Sequence, residues 1–367
     1  MSPEQQREST LLHRVRSLRL WPKDRHIGLL LAVVLITFVS LSTLRPDTFA
    51  SGRNLTSMAL QVSDLGVLAL AMMLAMIIGG IDLSITATAN LSAISSALVM
   101  AHLTAMAVPG GPTTMIGVTV ALGVGLLCGI VNGLLVGYAG VPAILATLAT
   151  LTLFSGFATV LTGGVSIYGF PDELTAFGTA GIAYIPLPTL LFAVVAVVVF
   201  LLLTRTPLGL RMYLVGANPR ATAFSGVRNG RVVLSTYIAT GLLSAIAGVI
   251  VMARTDSANP NYGSSYILVT ILVVVLGGVS VAGGSGRVSG VVIAVILLQL
   301  LSTGLNMLLV GVTSGSNFVR DLAWGAVLLI VLAVSGRSAL RRPRRAKKAT
   351  GAPTTEPRDS APAEVSR

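Results

Sequence analysis

LGVLALAMMLAMIIGGIDLSITATANLSAISSALVM, residues 65–100, places two long apolar runs on either side of Gly79-Gly80-Ile81-Asp82-Leu83-Ser84. The first run carries no polar side chain from Leu65 to Ile78. Glycine is the worst helix former short of proline, at about 1 kcal/mol per residue, so two in succession stop the first helix. Asp82 then stands where its carboxylate accepts the backbone N–H of Ser84 or Ile85 and starts the next helix. The local reading is a helix that ends, turns and restarts. Two roles stay open for Gly79, Gly80, Asp82 and Ser84. They form a structural turn with Asp82 as its cap, or they form a gate on a substrate path. The second applies if the break lies deep, because irregular backbone at membrane depth is tolerated only where it is buried in protein or faces a cavity.

The rest of the chain has the same character. Of 367 residues, 54% are hydrophobic and 10% charged, with a mean hydropathy of +0.87. A soluble domain carries about 25% charged residues, so the solvent for this chain is a bilayer. The apolar runs are continuous rather than alternating, which excludes a β-barrel. The 39 glycines and the low aromatic share of 5% suit helices packed through small residues. Runs fall at 27–44, 55–79, 83–103, 115–137, 141–163, 186–204, 232–253, 265–283, 288–310 and 318–335. Each is near the roughly 20 residues that cross about 30 Å of hydrocarbon. The expected fold is an all-α polytopic bundle of about ten spans. The connections between spans two and three and between eight and nine are short, so one re-entrant segment would change the count by one.

Charge orients the bundle. Of the 25 Lys and Arg residues, 6 lie in the first 26 positions, 5 between Arg205 and Arg231, and 9 from Arg337 onward. Basic segments stay on the cytoplasmic side. Both termini and segment 205–231 are therefore expected there, which requires even numbers of crossings before and after that segment. Six plus four satisfies this. The domain plan is a basic arm (1–26), a transmembrane core (27–336) and a basic, disordered tail (337–367). The charge reads as topology and not as nucleic-acid binding, although Arg341–Lys348 is suited to anionic membrane lipids.

Several chemistries find no support. The glycine-rich Gly277–Arg287 lacks the Gly-Lys-Ser/Thr of a nucleotide loop and reads as packing glycines. The single cysteine, Cys128, sits in an apolar run and reads as structural. No His/Cys/carboxylate group has metal-ligand spacing. No catalytic and no metal residue is assigned, and the expectation is a non-enzyme. Only Asp64, Asp82 and Asp321 are acids within the spans, a thin set for coupling to an ion. A channel, an ion-coupled carrier and the pore subunit of a multi-protein pump remain.

Segment 205–231 narrows the choice. Asn218 is an N-cap, Pro219 suits the first helical position, and Ser225-Gly226 closes the turn. A short helix held between two transmembrane halves is what a pore subunit needs to receive force, or it is an ordinary surface loop. Here Gly209, Arg211, Gly216, Asn218, Pro219, Ala221, Ser225 and Gly226 follow in order. This pattern resembles the coupling loop of ribose-type (simple-sugar) ABC importer permeases, which share a superfamily with the branched-chain amino acid permeases. GGIDLS, Val141–Leu151, Ala258–Tyr266, Val274–Arg287 and Ser302–Leu308 resemble further motifs of that family in the same order, over roughly residues 50–335. Arg220 stands where the family has Glu, Ala223 where it has Arg, and Ile267 and Val269 where it has acids. Ser302-Thr303 replaces an Asn pair.

The resemblance implies a pore subunit of a bacterial inner-membrane ABC importer for a monosaccharide, with no cofactor of its own and ATP bound by partner subunits. It implies coupling through Arg211, Gly216, Asn218, Pro219, Arg220, Ala221, Ser225 and Gly226. It also implies cytoplasmic ATPase subunits, a periplasmic or lipid-anchored sugar-binding protein and a second permease subunit. The alternatives are a branched-chain amino acid permease, against which GGIDLS argues, and a stand-alone ion-coupled carrier. A path for a neutral sugar calls for hydroxyl and amide groups, for which Ser84, Thr86, Asn90, Ser92, Asn132, Ser302 and Asn306 are candidates, each also able to serve as an interhelical hydrogen bond.

Overall fold

The computed structural model describes residues 25–182, 185–309, 322 and 324–326. The arm expected at 1–26, of which only Arg25 and His26 are described as the start of a helix, the run at 318–335 and the tail lie wholly or almost wholly outside the described residues.

The chain runs up and down as helices. They are α1 (Arg25–Leu44), α2 (Gly52–Ile77), α3 (Ile85–Ala105), α4 (Gly110–Gly137), α5 (Ala143–Thr162), α6 (Asp172–Thr179), α7 (Leu187–Arg205), α8 (Pro207–Ala217), α9 (Pro219–Phe224), α10 (Asn229–Thr255), α11 (Tyr266–Leu276) and α12 (Val288–Leu309). Nine expected spans thus correspond to helices α1–α5, α7 and α10–α12. Seven of these are long and apolar enough to cross a membrane. α3 is long enough at 21 residues but rich in Ser, Thr and Asn. The remaining one, α11, departs from expectation. The run at 265–283 is helical only over its first part, and the helix stops at Leu276. Eleven residues rise about 16 Å, half a bilayer. Gly277 and Gly278 end it because Gly278 adopts φ +85, a left-handed geometry that favours glycine. Irregular backbone follows from Gly277 to Arg287.

α2 and α10 form the centre. In their most apolar stretches 89% and 78% of residues are buried, against 17–28% for α1, α4, α5 and α7. α10 packs on α2, α3 and α4, α5 packs on α3, and α12 packs on α1 and α2. Glycines bring the α4 and α10 backbones together. A Cβ on Gly125 would meet the carbonyl of Gly241, and one on Gly129 would meet that of Tyr237. This is close small-residue packing of the kind that holds helices together in lipid.

Two ends result. One carries α8, α9 and five arginines between 205 and 231. The opposite end carries α6 and two short antiparallel pairs. β1 (Ile167–Tyr168) pairs with β4 (Ser257–Ala258), and β2 (Gly181–Ile182) with β3 (Ile185–Pro186).

Candidate functional site

The GGIDLS break lies at the arginine-rich end against α8, with Gly80, Asp82 and Ser84 buried. Gly79 takes φ +83, and the Gly80 amide donates to the Ala75 carbonyl at 3.0 Å, so α2 unwinds in a tight turn. Asp82 Oδ1 accepts the Ser84 amide at 3.0 Å and the Ser84 hydroxyl at 2.7 Å. The bond to the Ser84 amide is the one expected from the sequence, although Ser84 itself is the N-cap of α3 and no side chain caps the helix, so Asp82 holds the turn that precedes it. Asp82 does more than hold that turn. Its Oδ2 accepts the Thr240 hydroxyl of α10 at 3.0 Å. Ser84 Oγ in turn accepts from Asn132 Nδ2 of α4 at 2.7 Å, and Asn132 Oδ1 accepts the Thr150 hydroxyl of α5 at 2.7 Å. Thr147, one turn before Thr150, donates to the carbonyl of Ile81 within the break at 3.0 Å.

The result is a buried chain of polar contacts, Thr150–Asn132–Ser84–Asp82–Thr240, tying α4, α5 and α10 to one unwound turn. Every member is 3% exposed or less. Such groups are stable in an apolar interior only when hydrogen-bonded, which fixes the turn in place. Tyr237 stands over the same turn. Its hydroxyl is buried without a partner, and a Cβ added to Gly80 would lie 2.9 Å from it.

Three backbone segments cross above this network. The Gly284 amide donates to the Ile77 carbonyl, the last residue of α2, at 2.9 Å. A Cβ on Gly216 would run into that carbonyl and into the Gly284 amide. One on Gly283 would lie 2.8 Å from the Gly79 Cα and 2.9 Å from the Gly216 carbonyl oxygen. Gly79, Gly216, Gly283 and Gly284 are therefore in backbone contact, and a side chain at Gly216 or Gly283 would separate the segments. Tyr213 Oη donates to the Gly286 carbonyl at 2.9 Å and fastens α8 to the same loop. The glycine-rich Gly277–Arg287 is thus a packing element, as expected.

α9 follows directly. Asn218 Oδ1 accepts the Ala221 amide at 3.0 Å, Pro219 holds the first helical position, Ser225 is the C-cap and Gly226 takes φ +80. Thr222 is its one buried residue, and its hydroxyl donates back to the Leu214 carbonyl of α8 at 2.9 Å. Arg211, Arg220 and Ala221 are exposed. The segment expected to couple and the segment expected to break are thus joined through Gly216.

The remaining candidates separate. Asn90 Nδ2 donates to the carbonyls of Pro260 and Tyr262, both at 2.9 Å. It draws loop 256–265 inward and, with Thr86, lines a narrow cavity of about 20 Å³, room for one water. Ser92 is buried on the same helix with an unpartnered hydroxyl. Ser302 is buried and Asn306 half-buried on α12, away from this network, and Asn306 Oδ1 has no partner. The sequence reading passed over the contacts of Asp64. Its Oδ2 accepts from Arg254 Nη2 at 3.0 Å and from the Tyr262 hydroxyl at 3.1 Å, with the Asp64 side chain fully buried. Asp64 stood out as an embedded acid, but its cation is 190 residues away and no local spacing signals the pair.

Taken together, the up-and-down helices, the broken α11 and the buried polar break define a polytopic helical membrane protein. The chain matches the family described as "Branched-chain amino acid transport system / permease component" over residues 54–332, and it belongs to that family. Among its relatives, the ribose import permease protein RbsC of Bacillus subtilis is 35% identical over 308 residues, covering 83% of this chain and 90% of the relative. RbsC of Haemophilus influenzae is 34% identical, covering 82% and 89%. The autoinducer 2 import system permease protein LsrD of Escherichia coli K12 is 33% identical, covering 84% and 91%. No solved structure matches the chain.

Proposed function

We propose that this chain is the transmembrane permease subunit of a bacterial ABC importer for a monosaccharide or a sugar-like solute. The observation that carries the reading is the backbone contact of Gly216 with the end of α2. It joins an arginine-rich, solvent-exposed segment to the unwound turn from which the buried polar network extends. Displacing α8 and α9 moves the carbonyl of Ile77 and the turn that Asp82 organises. Force applied at Asn218–Gly226 therefore reaches α3, α4, α5 and α10 through rigid contacts. The family and the ribose and autoinducer 2 relatives support import, and the neutral Ser, Thr and Asn content of α3 suits an uncharged polyhydroxy solute.

In this reading the arginine-rich end faces the cytoplasm of a bacterial inner membrane, with both termini there. ATP-binding subunits dock on Asn218–Gly226 and supply the energy, since this chain has no nucleotide loop. A periplasmic or lipid-anchored sugar-binding protein delivers solute to the opposite end, and a second permease subunit completes the pore. The Asp82 turn acts as a gate whose closed form is held by Ser84, Asn132 and Thr240. The test is uptake of labelled ribose and related sugars by cells expressing the chain with its neighbouring ATP-binding and solute-binding subunits. ATP-dependent uptake of a sugar, lost on deletion of 218–226, is the expected result. Uptake of leucine or valine in place of sugars would move the chain to the amino acid branch.

A further inference from the structure

Beside α9 lies a cleft of about 330 Å³ lined by Arg211, Ser225, Gly226, Val227, Arg228 and Arg231. α8, the turn after α9 and the first turn of α10 each supply an arginine. Segment 205–231 contains no Asp or Glu, and the ion pair found among the described residues, Arg254–Asp64, lies at the other end of the bundle. Three like charges converging on one concave surface repel one another unless an anion joins them. Next to this cleft, at the last position of α9, Phe224 is 93% exposed. A bare aromatic ring next in sequence to Ser225 of an arginine-lined cleft is the composition of an interface anchor rather than of a solvated face.

We propose that this cleft receives a carboxylate side chain of the ATP-binding subunit, while Phe224 enters an apolar socket beside that acid. The proposal rests on the permease reading and adds the chemistry of recognition. Ser225 and Gly226 both close α9 and line the cleft, so a protein seated on α9 covers the arginines. An acidic residue is then the group that spares three guanidinium ions from being covered without a counter-charge. The partner so defined has a hydrophobic socket rimmed by Asp or Glu, and this permease selects it over ATP-binding subunits whose rim is basic or neutral.

The test uses the full chain in nanodiscs of zwitterionic lipid, with the co-expressed ATP-binding subunit added and the affinity measured at several salt concentrations. For wild type, binding that weakens as salt rises is expected. The triple variant R211E/R228E/R231E should bind about 100-fold more weakly, and charge reversal of one acid on the ATP-binding subunit should restore part of the loss. Phe224→Ala should weaken binding at least about 30-fold, the scale of an interface hot spot, with Phe224→Leu intermediate. Folding of each variant is checked by gel filtration and by maleimide labelling of an added Ser225→Cys, which is selective because Cys128 is buried. Unchanged affinity of the triple variant overturns the proposal and leaves docking on α9 standing. If the arginines instead bind phosphatidylglycerol vesicles and ATPase affinity ignores them, the cleft is a lipid site and the proposal is wrong. If wild type binds no ATP-binding subunit at all, the permease reading fails with it.

Discussion

Replacing Asp82 separates the two roles of the break. Asp82→Ala removes an acceptor for the Ser84 amide, the Ser84 hydroxyl and the Thr240 hydroxyl. Thr240 keeps a second acceptor, the Tyr237 carbonyl at 2.9 Å. Ser84 donates to no second acceptor among the described residues, although its oxygen keeps the Asn132 amide, so its proton and its amide are both orphaned. Each buried orphan costs about 1–3 kcal/mol, and hydrogen bonds measured inside membrane proteins sit near the bottom of that range. The expected loss for Asp82→Ala is therefore about 2–4 kcal/mol. Asn in the same place keeps Oδ1 for Ser84 and turns its amide toward the Thr240 oxygen, so Asp82→Asn should lose less than about 1 kcal/mol. Thermal unfolding in detergent, followed by gel filtration, reads the stability, and solute uptake reads the function. A gate that needs the charge gives Asp82→Asn native stability with little uptake, whereas a cap gives it both. Asp82→Ala as stable as wild type would refute the hydrogen-bond accounting altogether.

Other perturbations follow from the same contacts. Gly216→Ala drives a methyl into the backbone of Ile77 and Gly284 and should destabilise by at least about 1–3 kcal/mol. Gly123→Ala, whose Cβ meets open space, should be neutral or stabilise by up to about 1 kcal/mol, and the melting temperatures of the two variants make the comparison. Arg254→Ala leaves the fully buried Asp64 without its cation, with the Tyr262 hydroxyl as its remaining side-chain donor, and should lose about 3–5 kcal/mol, seen as a lower melting temperature. Asn218→Ala removes the cap on α9, worth about 1 kcal/mol. It should lower transport-coupled ATP hydrolysis more than global stability, which a paired activity and melting measurement will show.

The sequence made some features legible because their causes are local. Length and apolarity located nine described helices, and α2 ends within two residues of its expected boundary because Gly79 and Gly80 stop it where they stand. The Asp82 bond to the Ser84 amide and the Asn218-Pro219 start of α9 were readable because such side-chain-to-backbone bonds span two or three residues along the chain. The same logic explains the misses. The Asp82–Thr240 contact spans 158 residues and the Asn132–Ser84 contact 48, and no periodicity announces which helices become neighbours. The truncation of α11 at Leu276 was masked by apolarity that continues into Val279 and Val281, since composition registers hydrophobicity but not the left-handed turn at Gly278. Gly216 was marked through resemblance to a motif, while its contact with Ile77 needed the fold. Phe224 carries no signal in the sequence, and only its exposure marks it.

The central claim is that this chain moves solute only when a partner pushes on α9. Its most direct test is solute flux in proteoliposomes containing the chain with and without the ATP-binding and solute-binding subunits. The account predicts uphill, ATP-dependent uptake with the partners present and none from the chain alone under a proton or sodium gradient. Uphill uptake by the purified chain driven by an ion gradient would contradict it.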